Sequence, residues 1–429
     1  MLHLATENAT ITYGTNADPK ALVLPEAAFL SLKNYALRDD AEPVLRYSVQ
    51  RGRASLRVGA YVGLLQASGS MGIEILPKIT DDFSPESVTA ARLVLLRMLL
   101  AVPELRLIPV PEVRLSKLAS FPLPDALAAL FLQRVAKLLH RGLPTDYRPV
   151  ETERPFVKGK LRLQSSPLAL TMHPERLPVA FAERSRDHAP NRLLKACLHR
   201  LRAGAFARLV RQYLFSLEEI PAPRDWRDDL RLARQQNRTF RDYVWLWPWA
   251  DWLLGGAAPA VGADRDLLPG LLFPTQFLFE NYVARSLRKY LPAEYAVSTQ
   301  ESPHHLLYDA AGHAAHRLRP DLVVRRGEDI WVLDTKWKLV QGNGSQVSNL
   351  AQSDLYQLYA YGQRYAQDSG SVKLALIYPK TEDFTNAPQP FSYEPHLPLH
   401  LLPADLSLSP AKMVEQLWEG LESQSFSPH

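Results

Sequence analysis

The sequence predicts an α+β multidomain fold, with a β-rich segment over residues 1–110, a mostly helical and basic segment over 111–270, and an α/β segment over 271–429. Three observations carry this. The chain has 429 residues, too many for one ordinary domain, and its 46% hydrophobic and 22% charged residues are the composition of a folded protein. Apolar spacing changes along the sequence, from short Val/Ile/Leu/Tyr runs to helical spacing and then to an ordered mixture of both. Charge changes with it: 1–110 hold 11 basic and 11 acidic side chains, 111–270 hold 26 and 17, and 271–429 hold 13 and 17.

In the first segment VLRYSV, ASLRVGAYVGLLQ and MGIEILPKI predict strands, being short apolar runs separated by Gly, Ser and Asp. SPESVTAARLVLLRMLLAV predicts a helix capped by Ser84 or Ser87. After a proline-studded PELRLIPVPE linker, PDALAALFLQRVAKLLHRG predicts a second helix stopped at Gly142. APNRLLKACLHRLRAGAFARLVRQYL predicts a longer one, with D-H-A-P-N as its cap and Pro190 in its first turn. Between them FVKGKLRL is expected to be extended. The small-residue stretch GGAAPAVGADRDLLPG marks a boundary. Beyond it LFPTQFLFENYVARSLRKYL predicts a helix of about five turns. EYAVSTQ, RLRPDLVVR and DIWVLDTKW then predict three strands, SNLAQSDLYQLYAYGQRYA a helix, and SVKLALIYP a final buried strand.

Several function classes are set aside. A single cysteine, Cys197, excludes an internal disulfide framework and a cysteine-based zinc site, fits a reducing compartment, and is expected in the core. The start has no basic stretch followed by an apolar core, and the greasiest runs are interrupted by Arg97, Pro248 and Asp251. A cytoplasmic protein without a membrane partner is expected. His304, His305, His313 and His316 lack nearby cysteines, and H-A-A-H is expected in a loop. No G-x-x-x-x-G-K-[ST] occurs, since Gly159-Lys160 is followed by Leu161, so any nucleotide motor must be another chain. The basic middle, including Lys158, Lys160 and Arg162, is either a DNA phosphate track or a solvated arginine-rich face. Trp245, Trp247, Trp249 and Trp252 are expected to be buried between domains rather than to stack bases.

The chemistry concentrates in RPDLVVRRGEDIWVLDTKW. Asp321 opens one apolar strand, Asp334 and Lys336 close the next, and residues 326–329 form a polar turn. Asp334 and Lys336, two apart, project from one strand face. Folding back at Gly327 brings Asp321 opposite Asp334. Such convergence of charge on an apolar sheet is costly unless a cation joins it, and paired carboxylates with waters are the usual cradle for Mg²⁺. A lysine beside it can orient or deprotonate an attacking water for phosphodiester hydrolysis. On the following helix Gln357 and Tyr361, four apart, share a face, whereas Tyr356 and Tyr359 are expected to pack in the core.

Pro320-Asp321, then Asp334-Thr335-Lys336, resembles the PD-(D/E)xK nuclease pattern. That resemblance implies a third metal carboxylate on the upstream helix, at Glu280, with Mg²⁺ held by Asp321, Asp334 and Glu280 and Mn²⁺ able to substitute. It also implies, through its RecB-like branch, that Gln357 and Tyr361 support the site and the DNA backbone. LFPTQFLFENYV, FVKGKLRL with the following RDHAPNRLLK, and GIEILPKI together resemble the McrC family, the nuclease subunits of modification-dependent restriction systems. The match touches all three segments. It implies an N-terminal β domain, a helical middle and a C-terminal nuclease cutting double-stranded, methylated DNA. It further implies docking on, and stimulation of, a ring of AAA+ GTPase subunits of the McrB type. The 1–110 segment is expected to make that contact, with SGSMG (Ser68–Gly72) as a hairpin tip able to enter the ring. Two alternatives stay open: an inert adaptor that only activates the motor, and a stand-alone nuclease of another defence or repair system.

Overall fold

The computed structural model describes the chain apart from residues 1, 15–20, 39–42, 51, 68–70, 80–81, 108, 163–174, 236–237, 256–269, 310–312, 344–345, 368–370, 395–396 and 423–429. Most of the SGSMG tip and of the GGAAPAVGADRDLLPG stretch therefore lies outside the described residues. By contact the chain forms two compact units, Met1–Leu123 with Ala260–His429, and Pro124–Pro259. The first and last segments expected from the sequence thus share one unit.

Strand pairing explains the sharing. One four-stranded sheet runs in the order Leu2–Thr6, Gly72–Leu76, Tyr61–Gln66 and Gly270–Pro274. Its last strand comes from the far end of the sequence and is antiparallel to Tyr61–Gln66, with Gly63 opposite Leu272 and Gly270 opposite Leu65. The backbones meet closely there: a Cβ on Gly63 would lie 2.0 Å from the Leu271 carbonyl oxygen, so only glycine fits. Leu272 is buried in one core with Ile73, Ile75 and Phe29. A fragment ending at Val110 would lack this strand. Ile73 and Ile75 face inward, as alternation requires.

A second sheet of this unit orders Leu22–Leu24, Thr10–Tyr13, Arg53–Val58 and Leu45–Gln50. The helix Pro85–Ala101 is capped by Ser84, whose hydroxyl accepts from the Ser87 N–H at 3.2 Å.

The site is carried by a six-stranded sheet ordered Ala296–Thr299, Leu322–Arg326, Asp329–Thr335, Ser371–Pro379, Leu397–Ala404 and Phe391–Glu394. Asp329–Thr335 is buried on both faces, which explains its unbroken IWVL run. Ile330 and Val332 pack with Leu358 and Tyr361 of the crossover helix Gln352–Tyr365. Trp331, alternating to the other face, meets Trp418 of the helix Pro410–Glu422 at 5.3 Å between ring centroids. SVKLALIYP is therefore not the last strand of the sheet. The helix expected from LFPTQF onward begins only at Thr275 and ends at Tyr290, because Gly270–Pro274 is the strand just described. Of H-A-A-H, His313 lies outside any strand, whereas residues 314–316 fall in the strand Ala314–Arg317, paired with His305–Tyr308.

In the unit Pro124–Pro259 the expected helical middle is interrupted by a three-stranded sheet, Asp146–Arg154, Leu177–Ser185 and Lys160–Leu161. The helix expected over 189–214 is split into Ala189–Arg200 and Ala207–Phe215 by turns around Gly204. The Asp187 side chain makes no cap. It accepts from Arg192 (2.7 Å), which also grips Asp229 bidentately (2.7 and 2.8 Å). Trp245, Trp247 and Trp249 are buried, two of them against Phe131 within this same unit. Cys197 is fully buried, and burial pushes its thiol pKa up. Among the described residues no helix is long and apolar enough to cross a membrane.

Candidate active site

The hairpin register pairs Leu322 with Leu333, and one further step sets Asp321 across from Asp334. The turn is at Gly327, with φ +59°, a conformation glycine adopts without strain. Asp321 precedes its strand, and Oδ2 accepts from the Thr335 backbone N–H (2.8 Å) and hydroxyl (2.9 Å). Asp334 is 1% exposed, and neither of its oxygens has a hydrogen-bond donor aligned on it. The Lys336 ammonium is in ion-pair contact with Asp334 Oδ2 without such alignment.

The carboxylate on the helix Thr275–Tyr290 is Glu280, half-buried. Gln300, held at φ +51°, donates through Nε2 to Glu280 (2.6 Å) and to Asp321 Oδ1 (3.4 Å). One amide thus bridges two of the expected metal carboxylates. Burial pushes the Glu280 pKa up to about 7, helped by the nearby negative charges of Asp321 and Asp334. Burial likewise pushes Asp334 up to about 7, with Asp321 adding to the shift and Lys336 opposing it. Desolvation works against the Lys336 charge, but the combined attraction of Asp334 and Asp321 overcomes it and raises its pKa.

Gln357 and Tyr361 join the same cluster. Lys336 Nζ donates to Gln357 Oε1 (3.4 Å), Gln357 Nε2 to the Tyr361 hydroxyl (2.7 Å), and that hydroxyl to the Arg319 carbonyl (3.1 Å). The pair therefore links Lys336 to the backbone just before Pro320-Asp321. Tyr356, in contrast to its expected core place, is 63% exposed. Tyr359 is half-buried, its ring tilted by 47° against that of Tyr393 at 5.2 Å between centroids.

All six sequence-derived site residues are thus connected. Sequence reasoning missed three others. Thr335, the middle of the Asp-Thr-Lys triplet, is fully buried and fixes Asp321. Gln300 stands at the end of EYAVSTQ, and only its left-handed backbone marks it out. Gln276 donates to the Thr335 carbonyl (2.7 Å) and accepts from the Trp337 N–H (2.6 Å), bracketing Lys336.

Asp334 Oδ2 is already paired with the Lys336 ammonium, and its buried Oδ1, with no partner, is the oxygen that fits a cation-binding role. Among the described residues, however, no three His, Cys, Asp or Glu side chains gather closely enough to form a cage.

The family of McrBC 5-methylcytosine restriction system components matches residues 56–379, well over half of the chain. The chain belongs to that family. A chain in the refined half-complex of Thermococcus gammatolerans McrB AAA+ hexamers with bound McrC is 18% identical, with a TM-score of 0.69 over 99% of this chain and 100% of that one. A cryo-EM structure of the Thermococcus gammatolerans McrBC complex is 16% identical, with a TM-score of 0.49 over 68% of this chain and 88% of that one. Among curated proteins none matches significantly.

Proposed function

We propose that this McrBC-family chain is the DNA endonuclease subunit of a modification-dependent restriction system, hydrolysing phosphodiester bonds with Mg²⁺ and docking on an AAA+ GTPase that it stimulates. The observation that carries the nuclease reading is Asp334, buried without an aligned donor, beside Lys336 and across the hairpin from Asp321. Bound Mg²⁺ would supply Lewis-acid charge to the scissile phosphate, and Mn²⁺ accepts the same oxygen donors. Asp321 and Asp334 would hold it together with its waters, and Glu280, expected as a third carboxylate but not gathered with the other two into a cage, would face the same site through the Gln300 amide. Thr335 and Gln300 keep Asp321 and Glu280 aimed. Lys336, with its raised pKa, keeps its proton at neutral pH. Its part is therefore to carry charge to the phosphate or orient the attacking water, rather than to remove a proton. Gln357 and Tyr361 set the Lys336 side chain.

The partner is proposed on family membership and on the fold shared with a chain from an assembly of McrB AAA+ hexamers with bound McrC. The β-rich 1–110 region is proposed as the contact, because its net charge of zero suits it poorly to holding DNA. Full-length protein should be incubated with Mg²⁺ and methylated plasmid, with and without an McrB-type GTPase. Cleavage only with Mg²⁺ supports the nuclease. GTPase stimulation without any cleavage would favour the inert adaptor. Cleavage indifferent to the partner would favour a stand-alone nuclease.

A further inference from the structure

Glu7 follows the strand Leu2–Thr6, is 2% exposed, and lies in none of the elements that carry the candidate site. Its carboxylate gathers donors from three distant parts of the sequence. Oε1 accepts from the Lys78 backbone N–H (3.0 Å) and the Trp337 indole N–H (2.6 Å), and Oε2 accepts from the Thr275 hydroxyl (2.8 Å). Lys78 ends the ILPK run of the N-terminal sheet, Thr275 begins the helix bearing Glu280, and Trp337 follows Lys336. Burying a carboxylate is costly, and hydrogen bonds are what make it tolerable. Burial pushes the Glu7 pKa up, and the bonds from Lys78, Trp337 and Thr275 pull against that.

Trp337 is held from its other sides too. Its backbone N–H donates to Gln276, and its ring meets Phe279 edge-on at 5.3 Å. Lys336 consequently stands between two anchored residues: Thr335, bonded to Asp321, and Trp337, bonded to Glu7 and Gln276.

We propose that Glu7 is a positioning residue for cleavage, acting through Thr275 and Trp337 to hold the Glu280 helix and the Lys336 strand end in one register and to tie both to the N-terminal sheet. This rests on the nuclease reading above. Glutamine can replace the carboxylate geometrically. Its carbonyl would accept from Lys78 and Trp337, while its amide donates to the Thr275 hydroxyl, which can turn to accept. Alanine leaves all three donors unsatisfied.

The test uses the full-length protein with partner, Mg²⁺ and plasmid, comparing Glu7→Ala, Glu7→Gln and Trp337→Phe. Glu7→Ala is expected to slow single-turnover cleavage between about tenfold and a hundredfold, the scale of a small misplacement of reacting groups, with KM for DNA unchanged. Glu7→Gln should recover most of the rate. Trp337→Phe should slow it in the same direction, and combining it with Glu7→Ala should cost less than the two losses multiplied. In hydrogen exchange without DNA, Glu7→Ala should speed exchange around Thr275 and around Trp337, and Glu7→Gln should not. A folded Glu7→Ala protein cutting at the wild-type rate overturns the proposal, as does equal impairment by Gln and Ala. Should Glu7→Ala not fold, Trp337→Phe with wild-type rate and exchange overturns it. If the wild-type protein never cuts, the nuclease reading fails by itself, and unchanged exchange in the Glu7 variants then overturns the linkage separately.

Discussion

Asp321 Oδ2 accepts two hydrogen bonds from Thr335, one from its N–H at 2.8 Å and one from its hydroxyl at 2.9 Å. The residue between Asp334 and Lys336 is therefore a fastener between the two strands of the site hairpin. It leaves Asp321 Oδ1 turned towards Gln300.

Thr335→Val keeps the shape and the N–H bond but removes the hydroxyl. The expected cost is about 1 kcal/mol of stability, read by chemical denaturation. The expected loss of cleavage rate is larger, about tenfold, because Asp321 is then free to turn. Thr335→Ser should retain most activity.

Asp334 and Glu280 titrate at about 7 in the folded protein without a cation, against ordinary values of 3.8 and 4.5. Both folded values are raised, so this contribution to stability is fully present below about pH 4 and is lost as pH rises to about 7. Relative to the metal-free wild-type protein, Asp334→Asn and Glu280→Gln should gain in melting temperature between about pH 5 and 7.5. Added Mg²⁺ should raise the wild-type melting temperature more at the higher pH, and should lose that effect in Asp334→Asn. A Mg²⁺ shift that is equal at both pH values contradicts the assignment.

Tyr361→Phe breaks the relay from Gln357 to the Arg319 carbonyl while keeping the buried ring. A reduction of about threefold to tenfold in the cleavage rate is expected, with little change in DNA affinity. Gln357→Ala should do the same, and the double variant should fall short of the product.

In the middle unit Lys158, Lys160 and Arg162 are exposed, but Lys158 lies 3.6 Å from Glu183 and Arg162 pairs with Glu151. Replacing all three with glutamine should weaken DNA binding and lower the log–log salt slope by at most about 0.9 for each phosphate that is no longer neutralised. An unchanged slope returns this face to the solvated reading.

The hairpin of the candidate site is legible in the sequence because its cause is local. Alternation and a glycine turn place Asp321, Asp334 and Lys336, and four-residue spacing places Gln357 beside Tyr361. What is not legible depends on partners far apart in sequence. The stretch 272–274 reads as the start of a helix because FLFENYV continues its apolar pattern, and only the pairing of Gly270–Pro274 with Tyr61–Gln66 makes this segment a strand. The strand Asp146–Arg154 escapes a reading by pattern because it is largely exposed and carries no clean alternation of apolar residues. Thr335, Gln300 and Glu7 escape for a similar reason: each is a common polar residue whose role emerges only when its acceptors and donors come together.

The most direct measurement is cleavage of methylated plasmid by Asp334→Ala and Lys336→Ala, alongside stimulation of an McrB-type GTPase by the same preparations. The expected result is a loss of cleavage of at least about a hundredfold with folding and GTPase stimulation intact. Cleavage that survives either substitution, or stimulation that disappears together with it, would contradict a nuclease site at Asp321, Asp334 and Lys336.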